Sequence, residues 1–238
     1  MGIIAAKTRF VTVMALAAFS LACVPTIQTI YLTPEVKGKV LLFSPGEAPS
    51  FKPLTNVKAY HASQSETSAL SNQQGEYQLA PNSKVESTFL MAGHSLNYYP
   101  ITIETEALKL TLLAQASTKM LDVETVNLNN VIVKGELEGE PLLAEPGPSA
   151  LKYCNLNYVK QLRRELAVHQ VLKQSYPEIE SIEPTELVYL QDQQQQALMW
   201  IEYVKRSCNW ENEDGYPRYR DMKDAREYFT AAEASLRD

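Results

Sequence analysis

Histidine is nearly missing from this chain. His61, His94 and His169 are the three it has in 238 residues, and none stands at metal-ligand spacing from another. No His-Glu-x-x-His or Cys-x-x-Cys pair occurs, so the spacings that build zinc sites are missing, and no metal or cofactor is expected. No Gly-x-Ser-x-Gly elbow presents a serine nucleophile. Positive charge is short too: 22 Lys and Arg against 28 Asp and Glu leave a net charge of −6. Such a surface offers little to neutralise phosphates, which argues against nucleic acid as a partner and against electrostatic docking on anionic lipid. The apolar stretch Phe10–Ala22 is shorter than the roughly 20 residues a membrane span requires.

What the N-terminus has is Lys7 and Arg9 ahead of that stretch, the positive region and apolar core of a secretory signal. Residues 1–22 are the expected signal peptide. A retained membrane helix is the alternative, and polar Thr26, Gln28 and Thr29 weaken it. Phe19-Ser20-Leu21-Ala22-Cys23 resembles a bacterial lipoprotein lipobox, although Ser20 stands where that family usually has Leu. The resemblance implies that Cys23 carries acyl chains such as palmitate, since more than one chain makes membrane attachment stable. Val24 in place of an aspartate leans, in that family, toward the outer membrane, with the body facing the periplasm. Read instead as an ordinary Ser-x-Ala cleavage site, the same residues leave Cys23 a free thiol.

Losing Lys7 and Arg9, in a segment without Asp or Glu, moves the formal charge from −6 to −8. Three cysteines are awkward in an oxidising compartment, but lipid on Cys23 leaves Cys154 and Cys208 as a pair.

Residues 23–34 are a tether or, over Thr26–Pro34, a first edge strand. From 35 to 134 the signals are those of a β domain, with short Val-, Ile-, Leu-, Thr- and Tyr-rich runs between turn residues. Expected strands are Val36–Phe43, Val57–His61, Ser68–Ser71, Tyr77–Leu79, Ser87–Ala92, Tyr99–Glu104, Leu108–Ala114 and Val126–Val133. Alternation in Tyr99, Ile101 and Ile103 places one face on a core. Gly38 in mid-strand marks a bulge or a close backbone approach, Gly75 a turn with positive φ, and Asn72 the entry to that turn.

Val36-Lys37-Gly38-Lys39-Val40, Pro53-Leu54-Thr55-Asn56-Val57-Lys58-Ala59, Ser71-Asn72-Gln73-Gln74-Gly75-Glu76-Tyr77-Gln78-Leu79 and Ala92-Gly93-His94 resemble the carboxypeptidase regulatory-like domains. Ser71-Asn72 replaces a commoner Thr-Asp, and His94 a usual aromatic. The resemblance spans about 35–105 and implies a transthyretin-like β-sandwich, a kind of module that is typically non-catalytic.

Residues 135–150 are acidic and punctuated by Pro and Gly, as a linker is. Residues 151–238 then read as helical. Leu151, Cys154, Tyr158, Leu162 and Leu166 form one apolar stripe, and Leu187, Leu190, Ala197, Ile201, Val204 and Cys208 a second. A third, Met222 to Leu236, follows the turn at Asp214-Gly215-Tyr216-Pro217. Paired antiparallel, the first two helices bring Cys154 to Cys208; two separate buried thiols or intermolecular pairing are the alternatives. The fold expected is α+β in two domains, an N-terminal transthyretin-like antiparallel β-sandwich and a C-terminal disulfide-linked helical domain.

Glu178, Glu180 and Glu183 read as a solvated acidic loop, and the histidines as packed or surface residues. Gln191 and Gln193–Gln196 form a polar helix face or a partner contact. Trp200, Tyr203, Trp210, Tyr216 and Tyr219 are the candidate binding surface, because Tyr and Trp join apolar area to a hydrogen-bonding tip. The expected function is a non-catalytic envelope lipoprotein acting on a protein partner as an interaction or assembly module. The alternatives are a glycan- or peptidoglycan-binding lipoprotein and an enzyme with an unrecognised site.

Overall fold

A computed structural model of the chain describes residues 26–88, 95–118, 124–140, 142, 147–176 and 182–237. The signal segment, Cys23, His94, Glu178 and Glu180 lie outside the described residues.

Strand β2 (Glu35–Ser44) is the axis of the first sheet. Its first half pairs with β6 (Glu76–Leu79) on one side and β10 (Thr125–Asn127) on the other. Its second half pairs with β3 (Ser50–Pro53) and β11 (Asn130–Val133). The second sheet has the order β5 (Ser68–Leu70), β4 (Lys58–His61), β8 (Ser95–Glu104) and β9 (Lys109–Thr118). Val36, Val40, Tyr77, Leu79 and Ile132 of the first sheet share one core with Ala59, Ile101, Ile103 and Leu112 of the second. This face-to-face burial of alternating residues makes the pair a sandwich.

Two expectations need correction. The sandwich is not wholly antiparallel: β10 and β11 run parallel to β2. They follow β9 of the other sheet, so the chain enters beside β2 by a crossover, and no hairpin turn dictates its direction. The run expected as one strand over Val126–Val133 is also two, broken at Leu128 and Asn129. Strand β3 is additional to the expected set. Residues 26–31 take the edge-strand alternative: β1 (Thr26–Tyr31) pairs antiparallel with β7 (Ser83–Thr88) in a separate ribbon.

Helices cover only half of the first sheet's outer face. Phe43, Val131 and Val133 pack there against Val168 and Leu172 of α2 (Leu156–Ser175). Strand β11 is thereby buried on both faces, as its Val131-Ile132-Val133 run requires. Helix α3 (Pro184–Arg206) starts on a proline, where the missing N–H costs nothing. Helix α4 (Tyr219–Arg237) adds Ala225, Phe229 and Leu236 to the core that α3 builds with Trp200, Ile201 and Val204. The Cys154–Cys208 disulfide joins the segment just before α2 to the second residue after the end of α3. Both cysteines lie outside the regular helices, which begin at Leu156 and end at Arg206.

The acidic stretch after the sandwich contains a short helix, α1 (Lys134–Leu137). Its Glu136 is buried rather than solvated, and takes Arg164 of α2 in two hydrogen bonds of 2.9 and 3.0 Å. Arg164 also donates to Glu165 at 2.9 Å and to the Val131 carbonyl at 2.6 Å. Gln161 and Gln193 complete the shell by donating to Glu165. The network ties strand, helix and connection together, with one guanidinium shared by two carboxylates and each carboxylate hydrogen-bonded, the condition under which buried charges are tolerated.

Candidate functional site

The other half of the first sheet's outer face has none of the described helices packed over it. There the outward residues are polar: Lys37 stands beside Gln78 and Lys39 beside Glu76 across the β2–β6 pair. They floor an open groove of about 800 Å³, walled on one side by Val188 and Asp192 of α3 and on the other by Ala69 and Leu70 of β5. Leu70 and Val188 are exposed at its rims. Val188, Asp192, Gln195 and Met199 recur at four- and three-residue steps, so one stripe of α3 continues from the groove into a smaller recess of about 180 Å³ beside Gln115 and Val126.

The break between β10 and β11 makes the groove's central contact. Gly38 has no room for a Cβ, which would overlap the Leu128 carbonyl. That carbonyl accepts the Tyr77 hydroxyl at 2.8 Å, and burial holds this phenol well above its usual pKa. One residue on, the Asn129 side chain takes the place of a strand partner: its Oδ1 accepts the Lys39 backbone N–H at 2.9 Å. An N–H can only be met by the amide oxygen, so the NH2 must face the other way. It donates to Asp192 Oδ2 at 2.6 Å.

Asp192 is half-buried and has no Lys or Arg within ion-pair distance among the described residues. The groove's lysines are taken, Lys37 by Glu35 at 3.5 Å and Lys39 by Glu76 at 3.1 Å. Burial raises the Asp192 pKa, and the Asn129 hydrogen bond offsets part of that rise. The site thus presents one uncompensated carboxylate in a field of amides (Asn72, Gln78, Asn127, Asn129), with an aliphatic group at each rim.

The five expected surface aromatics separate. Trp200 is buried in the helical core, in edge contact with Tyr203 at 5.6 Å. Tyr203 packs between Tyr98 and Tyr158, and Trp210 lies half-buried against the same core. Tyr216 and Tyr219 are exposed, on and just after a turn that Asn212 holds by accepting the backbone N–H groups of Asp214 and Tyr216. None of the five lines the groove.

Of the expected glutamines, Gln193, Gln194 and Gln196 bond within the fold, while Gln191 and Gln195 are exposed. Gln196 is buried and clamps β9, its oxygen accepting Leu113 N–H at 3.1 Å and its NH2 donating to the Leu113 carbonyl at 2.9 Å. Gln161 accepts Thr111 N–H at 3.4 Å, so helix side chains cover the outer edge of that strand. His61 is buried beside Thr33 at 3.4 Å, and burial lowers its pKa against a backbone contact at Ala80 that raises it. His169 is buried, its pKa lowered by burial and by Lys173.

Among the described residues no cluster of His, Cys, Asp or Glu is arranged to hold a metal ion, and no helix is long and apolar enough to cross a membrane. The signal for the groove was in the sequence as Gly38 and the Asn127-Leu128-Asn129-Asn130 run. Its partner Asp192, far along the chain, could be placed only by the packing of α3. Comparison with protein families, with curated proteins and with solved structures finds no match.

Proposed function

We propose that this protein is a non-catalytic lipoprotein of the cell envelope, anchored through acylated Cys23, whose body is an interaction module for another envelope protein. The observation that carries the reading is the groove beside α3: a formed, open concavity with apolar rims and a half-buried carboxylate that no Lys or Arg among the described residues neutralises. Among the described residues Asp192 finds only an amide within hydrogen-bond reach, a partner that fixes its position and does not exchange protons with it. This favours recognition over acid–base chemistry. A transthyretin-like assignment of the sandwich is supported by Gly38, Gly75 and Tyr77 filling the close-approach, turn and core roles of the resembling motifs. The parallel pairing of β10 and β11 is what such an assignment must accommodate.

Crosslinking in intact cells, followed by identification of co-purified proteins, tests the reading. One envelope protein should be recovered reproducibly with the wild type and lost with Leu70→Asp/Val188→Asp. Recovery of no protein, or of the same protein from the double variant, contradicts it. The second reading, glycan binding, is favoured by the exposed rings of Tyr216 and Tyr219. It calls for saturable binding to purified cell-wall sacculi that Tyr216→Ala/Tyr219→Ala abolishes.

A further inference from the structure

We infer that the groove takes an extended peptide segment with a basic side chain, which pairs with Asp192. This deepens the docking reading above and rests on it. Three features of the groove select such a ligand. The first is charge: Lys37 and Lys39 are each neutralised within the fold, so Asp192 is the carboxylate left for a cation to meet. An acidic chain, at a net −6 over its full length, works in the same direction, drawing cationic partners and repelling anionic ones.

The second is the amide lining. Side-chain amides offer a donor and an acceptor together, which is the pattern of a peptide backbone. The protein already uses that match once, where Gln196 meets both the N–H and the carbonyl of Leu113. The third is shape. The groove runs past β5 and β6, which pair only with β4 and β2 among the described strands, whereas the outer edge of β9 is covered by Gln161 and Gln196. An extended chain fits beside such short unpaired edges, and the rims at Leu70 and Val188 receive alternate side chains. A sugar is the poorer fit: the groove's one aromatic residue, Tyr77, is buried and has its hydroxyl engaged.

The test uses the full exported chain, purified in detergent with its disulfide intact. The probes are acetylated, amidated nonapeptides of Ser and Val with Lys, norleucine or Glu at the centre. The Lys peptide should bind roughly tenfold or more tightly than the norleucine peptide, with the Glu peptide weakest. Asp192→Asn keeps the acceptor for Asn129 and removes the charge, so it should bring the Lys peptide to the norleucine value without lowering the denaturation midpoint. Equal binding of all three peptides, or a Lys preference that survives Asp192→Asn, overturns the inference. So does binding of a neutral β-1,4-linked N-acetylglucosamine oligosaccharide in the groove with no peptide bound. If the peptides fail while groove-dependent co-purification persists, the inference alone falls; if co-purification also fails, the docking reading falls with it.

Discussion

At the scale of single residues, the fold depends on a few contacts that leave no latitude. Gly38 is one. Any Cβ there meets the backbone of Leu128, which is fixed by its own N–H bond to the Lys37 carbonyl at 2.7 Å. Gly38→Ala should cost about 1–3 kcal/mol or more, read as a lower urea midpoint with an unchanged slope. Arg164 is another. Removing it as Arg164→Met strands Glu136 and Glu165 as buried charges, and should cost about 3–5 kcal/mol in the same measurement. Asp192 should behave in the opposite way. Its raised pKa means the folded state disfavours the carboxylate, so this residue's contribution is greatest at low pH and falls as pH rises above the ordinary Asp range. Asp192→Asn should therefore leave the midpoint at neutral pH unchanged or slightly higher. A clear loss of stability would show that the carboxylate serves the fold and not a ligand.

At the scale of elements, the legible features were those with local causes. Gly75 has φ +73°, and Asn72 accepts the N–H groups of Gln74 and Glu76 at 2.9 Å, as turn chemistry demands. The apolar stripes marked the helices, and the stripe ends marked the cysteines. What stayed hidden was tertiary. Nothing local distinguishes Gln193 and Gln196 from a solvated polar face; they are buried because α3 lies against β9 and α2, whose backbone and carboxylate groups need partners. The parallel strands were hidden for the same reason, since direction is set by a crossover. Trp200 looked like surface because its indole joins apolar area to a hydrogen-bonding tip, yet it lies on the inner stripe with Ala197 and Val204. Opening the disulfide as Cys154→Ser/Cys208→Ser should cost about 2–5 kcal/mol. The sequence separation of 54 gives about 4 in the chain-entropy view. Intact mass should rise by two hydrogens when the wild type is reduced, and not when the variant is.

For the whole molecule, pH and location give the remaining expectations. The pKa values of His61 and His169 are lowered in the fold, so below their ordinary pKa of about 6.5 the unfolded chain takes up protons that the folded chain refuses. Stability should be full above that value and fall as pH drops through it. The urea midpoint at pH 5.5 should lie below that at 7.5, with the difference reduced in His169→Gln. Glu35 and Glu76, whose pKa values are lowered by hydrogen bonds and nearby lysines, act in a more acidic window below the ordinary Glu range. Location rests on Cys23: metabolic palmitate should label the wild type and not Cys23→Ala, and label on the variant would remove the anchor. The central claim, that the groove beside α3 is where a partner sits, is met most directly by a photo-crosslinking residue placed at Val188 and, separately, at Tyr216 in living cells. Irradiation should give one protein adduct from Val188 that Asp192→Asn abolishes, and none from Tyr216. An adduct from Tyr216 with none from Val188 would contradict the claim.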